Sequence, residues 1–220
     1  MIRTLTFFLY GILLSLFPLT QLSATPSDLK IVKHKLSTIQ SFSGEFQQLY
    51  YDALLVKVQK SKGSVEYLKP GLMIWKYQVP EELEIIIGKE KIWIFDPILE
   101  NVTIQKIDAV ARVEMLSFIL KQDQLEDHFQ VITPEKKYII ETAETKTLYL
   151  KPRQEKSHFK EIQIQLDKKR NCVQKFAIIE HNLNYRIITL SHLQYNHITD
   201  PSKFEFTIPD GVEIIDGMDN

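Results

Sequence analysis

The sequence predicts a mostly β-sheet fold with a few helices, arranged as an antiparallel meander that closes toward a barrel. Three observations predict it. Apolar residues recur at every second position in short runs over most of the chain. Turn-forming residues cut these runs at short intervals. Only two stretches carry a helical period instead.

The first helical stretch follows Thr25-Pro26-Ser27-Asp28, a start signal with Ser27 or Asp28 as N-cap. Leu29, Val32, Leu36 and Ile39 then share one face, and Ser41 and Ser43 end the pattern. From Phe42 the period is two. Strands are predicted at 46–51, 64–69, 72–77, 83–87, 91–95 and 101–107, with Gly63, Pro70-Gly71, Pro80, Gly88 and Asp96-Pro97 between or beside them. The second helix is predicted at 109–121. Val110, Val113, Leu116 and Leu120 form its stripe, and Met115, Phe118 and Ile119 widen it to more than half the circumference. Strands resume at 138–142, 147–151, 160–166, 173–180, 185–193 and 204–208. Ile162, Ile164 and Leu166 alternate with polar residues, as do Phe204, Phe206 and Ile208. No repeat, low-complexity segment or Gly/Ser linker divides the chain, which predicts one domain over 25–220.

Residues 1–24 have the layout of a secretory signal peptide. Arg3 precedes an apolar run from Leu5 to Leu19, and Thr20-Gln21-Leu22-Ser23-Ala24 leads to a cleavage bond expected after Ala24. Ser15 and Pro18 interrupt the run, which is too short for a comfortable membrane-spanning helix. No cysteine stands at the cleavage site to carry a lipid, so a soluble exported protein is expected. Cys172 is the only cysteine and excludes an internal disulfide, so the fold must rest on its core. Without residues 1–24 the chain keeps 26 Lys+Arg against 28 Asp+Glu, a net charge of −2. Such a balance argues against nucleic acid as a partner. No polybasic cluster is strong enough to hold an anionic membrane by charge alone. Lys168-Lys169-Arg170 reads as a solvated hairpin tip.

Nothing in the chain reads as catalytic. No serine sits in a nucleophile elbow, and there is no phosphate loop and no HExxH. Cys172 follows a turn with cationic neighbours and reads as an incidental thiol. His192 and His197 lack the spacing of a helical metal pair. No enzyme activity, metal or cofactor is expected. The unusual feature is apolar supply: Ile85-Ile86-Ile87 and Ile92-Trp93-Ile94-Phe95 do not alternate with polar residues. A simple meander buries one face only. Two readings stand level. Both faces are covered, one by helices and one by the curl of the sheet, or one face lines an internal cavity.

Several segments carry a family resemblance. Phe42-Ser43-Gly44-Glu45-Phe46-Gln47-Gln48 follows the first helix. Gly63 precedes Lys69-Pro70-Gly71-Leu72-Met73-Ile74-Trp75-Lys76-Tyr77 and Pro80. Ile92-Trp93-Ile94-Phe95-Asp96-Pro97 comes next, and Phe204-Glu205-Phe206-Thr207-Ile208-Pro209-Asp210-Gly211 lies near the end. In this order and spacing they resemble the outer-membrane lipoprotein carrier protein family, LolA. The resemblance implies an incomplete, unclosed antiparallel β-barrel with an α-helical lid over an apolar cavity. It implies a monomeric periplasmic carrier without a cofactor. Its partners would be the acyl chains of lipoproteins, an inner-membrane ABC-type lipoprotein exporter and an outer-membrane lipoprotein receptor.

The resemblance also implies site residues. Met73, Trp75, Tyr77, Trp93 and Phe95 are expected to line the lipid cavity, with Leu72, Ile74 and Lys76 facing away from it. Val110, Val113, Leu116 and Leu120 are expected on a mobile lid helix. Lys69 stands where the family has an arginine that holds the lid by hydrogen bonds to helix backbone. Lysine keeps the charge but lacks the planar fork. Met73 replaces an aromatic residue, Phe95 a tyrosine, and Gly88-Lys89-Glu90 a D-G-K turn. The alternative is a periplasmic sensor or scaffold of the same fold that binds a regulatory protein or free lipid. Such relatives carry a further domain, whereas this chain ends soon after its last motif.

Overall fold

The computed structural model describes residues 26–107, 125–154, 157, 159–169 and 172–217. The predicted signal peptide, and the predicted lid helix with Val110, Val113, Leu116 and Leu120, lie outside them. Helix α1 (Pro26–Ser37) is followed by β1 (Ser41–Asp52), β2 (Lys57–Leu68), β3 (Leu72–Val79), β4 (Leu83–Ile87), β5 (Lys91–Asp96) and β6 (Asn101–Lys106). After a one-turn helix α2 (Leu125–His128) come β7 (Phe129–Val131), β8 (Thr145–Pro152), β9 (Phe159–Asp167), β10 (Cys172–Glu180) and β11 (Tyr185–Tyr195). A 3-10 turn (Pro201–Phe204) and β12 (Glu213–Asp216) complete the described chain.

All twelve strands form one sheet in the order β12-β6-β5-β4-β3-β2-β1-β11-β10-β9-β8-β7. The sheet is open, since β12 and β7 stand at its ends and do not pair. Every ladder is antiparallel except β12 on β6. The unclosed antiparallel meander expected from the sequence is the observed fold. The long hairpin β1–β2 is its spine, paired without a break from Ser41↔Leu68 to Asp52↔Lys57.

One face of the sheet gathers around α1. Leu29, Val32 and Leu36 pack there with Phe46, Met73, Trp75 and Ile92 from one half of the sheet. Leu148, Ile164, Phe176 and Ile188 come from the other half. Side chains from strands so far apart in the order meet only if the sheet curls, so this is the inner face. The outer face is covered twice. Ile198, Phe204 and Phe206 lie over Leu72, Ile74, Ile86 and Trp93. Tyr138 and Ile139 lie over Ala177, Ile179 and Ile187.

Both covering segments correct the sequence. Residues 138–142 form no strand. Their backbone is held by side chains instead: Gln163 Oε1 accepts from the N–H groups of Tyr138 and Ile139 at 2.8 and 3.2 Å, and Gln165 Nε2 donates to the Ile140 carbonyl at 2.8 Å. The polar residues that alternate with Ile162 and Ile164 are therefore buried under a loop. Residues 204–208 also form no strand. Phe204 ends the 3-10 turn, which Asp200 caps by accepting from Ser202 N–H at 2.9 Å. Phe204, Phe206 and Ile208 alternate in burial as predicted, but the segment lies across the outer face without a ladder partner. At the other end of the chain α1 begins at Pro26, so Ser27 and Asp28 fall inside its first turn rather than at its N-cap.

Candidate lipid-binding interior

The inner face is built from β3 outward. Met73 and Trp75 are 0% and 1% exposed in the core around α1, and Tyr77 packs at its margin. Leu72 and Ile74, of opposite parity, belong to the outer cluster, while Lys76 pairs with Glu84 at 2.9 Å. The strand thus divides as its period of two requires. Phe46 of β1 reaches over to Trp75, with ring centroids 4.4 Å apart, and meets Tyr77 edge-on at 5.1 Å. Gly63 makes this approach possible. A Cβ there would stand 1.8 Å from the Lys76 carbonyl oxygen and 2.9 Å from the Phe46 ring.

Trp93 and Phe95 lie elsewhere. Register settles it: Trp93 pairs with Ile86, and Ile86 with Ile74, so these three share the outer face. There Phe206 covers both aromatic rings, at 6.4 Å from Trp93 and 5.4 Å from Phe95. The inner positions of β5 belong to Ile92 and Ile94. The two candidates are corrected accordingly. The unbroken apolar runs of β4 and β5 reflect a strand greasy on both faces, with the C-terminal segment as the second cover. The F-x-F motif is that cover.

Among the described residues, two hollows border the inner core at its opposite ends. At the C-terminal end of α1 lies an apolar cleft with about 50 Å³ of free space, bounded by Leu36, Ile39, Phe42, Val173, Phe176, Leu190, Leu193 and Tyr195. Burial pushes the Tyr195 hydroxyl pKa far up, and the neighbouring Cys172 adds to the shift. At the opposite end a polar mouth of about 350 Å³ is lined by Gln48, Tyr50, Ser61, Tyr77, Glu81, Asp96 and Arg186, among others. Arg186 pairs with Glu180 at 3.1 Å and lies over the Tyr50 ring at 5.3 Å. Tyr77 marks the border, since it touches the apolar core and lines the mouth. Its pKa is raised, chiefly by burial. No signal in the sequence set the mouth apart, because its residues come from six strands and the β3–β4 turn.

Lys69 sits in the turn between β2 and β3, half-buried, at the cleft end. Its N–H donates to the Gln40 carbonyl at 2.8 Å, three residues beyond the last residue of α1. A Lys33–Glu126 ion pair at 3.2 Å joins α1 to α2. His192 Nδ1 lies 3.1 Å from Glu45 Oε2 and His197 Nε2 lies 3.3 Å from Ser43 Oγ, so each has a separate partner. Among the described residues no group of three or more His, Cys, Asp or Glu could hold a metal, and no helix is long and apolar enough to cross a membrane.

Comparison with known proteins agrees with this architecture. The model of the family described as outer membrane lipoprotein carrier protein LolA matches residues 37–207. An outer-membrane lipoprotein carrier protein of Histophilus somni strain 129Pt is 26% identical over 185 residues, covering 84% of this chain and 85% of the relative. That of Pseudomonas fluorescens Pf-5 is 24% identical over 208 residues, covering 93% and 96%. A crystal structure of a conserved protein from Thermus thermophilus superposes with a TM-score of 0.52 at 12% identity, covering 86% of this chain and 97% of that one, and so shares the fold. A match that spans well over half of the chain, on an open sheet curled around a helix, places the protein in the outer membrane lipoprotein carrier protein LolA family.

Proposed function

We propose that the protein is a periplasmic carrier that takes the acyl chains of lipoproteins released from the inner membrane and delivers them to the outer membrane. The observation that carries this reading is an apolar inner face closed, among the described residues, by a twelve-residue helix with three buried anchors. The free space of about 50 Å³ beside it holds roughly two waters, so a long acyl chain enters only where α1 gives way. Burying one such chain gains on the order of 10 kcal/mol. Redocking Leu29, Val32 and Leu36 gains about 5–9 kcal/mol. The two are close enough that the helix competes with the cargo, which keeps net affinity low enough for hand-off. The polar mouth beyond Tyr77 suits the head of an amphiphile whose tails lie against Met73 and Trp75.

Lys69 is the latch in this reading. Its turn abuts the end of α1, where a cation is favoured by the helix dipole. The helix expected from the sequence at 109–121, with Val110, Val113, Leu116 and Leu120, would supply a second lid element. An inner-membrane ABC-type exporter would load the carrier, and an outer-membrane receptor would unload it. Removal of residues 1–24 during export would leave the carrier soluble in the periplasm. The test is to isolate the protein from periplasm and identify what travels with it by mass spectrometry. Acylated lipoproteins are expected. A regulatory protein or free phospholipid alone would replace the carrier reading with the sensor reading.

A further inference from the structure

Eight of the large apolar side chains that stand exposed lie at one end of the sheet: Leu54, Leu55, Val56, Val58, Val79, Ile98, Leu99 and Leu183. This is the end that holds the polar mouth. Antiparallel order brings the β1–β2, β5–β6 and β10–β11 tips to it together.

Two of the tips share one construction. Asp52 Oδ1 accepts from the N–H groups of Leu54 and Leu55, both at 2.9 Å. Asp96 Oδ1 accepts from those of Ile98 and Leu99 at 3.0 and 2.9 Å. Each turn then closes through a left-handed residue, Val56 at φ 51° and Glu100 at φ 50°. The first tip is braced further. Asn184 Oδ1 accepts from Ala53 N–H at 2.9 Å, and its Nδ2 donates to the Tyr50 hydroxyl at 2.9 Å. The backbone of both turns is therefore fixed, with the aliphatic side chains standing in solvent. Leu54 is 90% exposed, Leu55 67% and Val56 75%. A β-branched residue is poorly suited to the left-handed region, where glycine or asparagine is favoured. Val56 stands there and in water as well, so neither local conformation nor burial explains it.

We propose that this end of the sheet docks on a lipid bilayer, with the aliphatic tips inserted at the headgroup level. The chemistry behind the leading tip fits that occupant. Lys57, Lys60 and Lys62 are exposed along β2 just behind it, placed to meet anionic headgroups. Tyr50, Tyr51 and Tyr185 form a band at the same depth, with Tyr51 stacked on Tyr185 at 5.0 Å. Aliphatic tips, then lysine and tyrosine, is the order in which a membrane interface is layered. Separate points arranged around a mouth also suit a soft surface better than the contiguous patch that a protein partner buries. The β3–β4 turn carries Glu81 and Glu82, so the lysine-backed β1–β2 hairpin leads. Docked this way, the mouth opens directly onto the membrane.

The proposal is tested by flotation of the purified protein with protein-free vesicles of phosphatidylethanolamine and phosphatidylglycerol. Wild type is expected to float. The double variant Leu54→Asn, Leu55→Asn is expected to bind on the order of tenfold or more weakly for each leucine withdrawn. Its thermal midpoint should not fall, since Leu54 stands almost wholly, and Leu55 mostly, in solvent. Vesicles of phosphatidylcholine alone should bind more weakly, because the lysines lose their counterpart. Failure of wild type to float, or equal flotation of the double variant, overturns the proposal. Binding only to membranes that retain their proteins overturns it too, in favour of a protein partner. The vesicles hold no lipoprotein, so none of these results bears on the carrier reading, which the periplasmic isolation decides separately.

Discussion

Trp75 and Trp93 stand two strands apart on opposite faces of the sheet, which makes them separate reporters. In a Trp93→Phe background, an acyl chain brominated along its length should quench Trp75 emission. The converse variant, Trp75→Phe, should leave Trp93 unquenched beneath Phe206. Equal quenching of both would mean that lipid does not choose the inner face. At Lys69, Lys69→Leu should leave the fold intact and impair release more than loading, by the roughly 1.5–3 kcal/mol of a charge-assisted bond. Wild-type rates in both assays would reduce it to a surface lysine. Glu161 concerns stability alone. Burial raises its carboxyl pKa, and the Gln163 hydrogen bond and Lys160 only partly oppose this. In its ionised form it costs stability. That cost falls as pH drops through the raised folded pKa, where the native state holds a proton that the unfolded chain has released. Glu161→Gln keeps an acceptor for Gln163 Nε2, so it should raise the thermal midpoint at neutral pH, with the gain closing toward acid pH. A gain independent of pH would assign the effect to packing instead.

At the scale of elements, Gly63 carries the β2–β3 bulge and the Phe46–Trp75 contact together. The obstacle to a side chain there is backbone, which cannot step aside. Gly63→Ala should therefore cost at least ~1–3 kcal/mol in urea unfolding, as an overpacked core position does. The strands of the meander were legible because period two and turn residues act locally. Residues 138–142 misled because their partner is not a strand but the side chains of Gln163 and Gln165, and a satisfied extended backbone looks the same in sequence whichever group satisfies it. Residues 204–208 alternate for a real reason, burial against the outer face, yet alternation does not say that a ladder forms. β12 passed unread because its four residues are exposed and pair only at the sheet edge.

Over the whole molecule, parity groups the side chains of a strand but does not say which group faces inward where both are apolar. On β3 Met73 and Trp75 share one face and Leu72 and Ile74 the other, and the family's aromatic positions chose between them; on β5 Ile92 and Ile94 are as greasy as Trp93 and Phe95, and the same choice picked the outer face. Only the path of the C-terminal segment, which no local pattern encodes, decides between them. The same closed interior sets the sign of the last prediction. If α1 occupies the site that acyl chains must fill, stability and affinity oppose each other. Leu29 anchors α1 far from the cleft residues and is 5% exposed. Leu29→Ala should weaken docking of the helix by ~2–5 kcal/mol. In an ordinary core that loss would lower stability and leave lipid affinity unchanged or weaker. In a self-occluded carrier it would lower stability, raise the population of the open form and tighten acyl-chain binding by about tenfold or more. Titration with a fluorescent fatty acid, set beside urea unfolding of the same variant, measures both quantities. Affinity that falls with stability would mean that α1 is part of the binding wall and not the competitor that the shuttle requires.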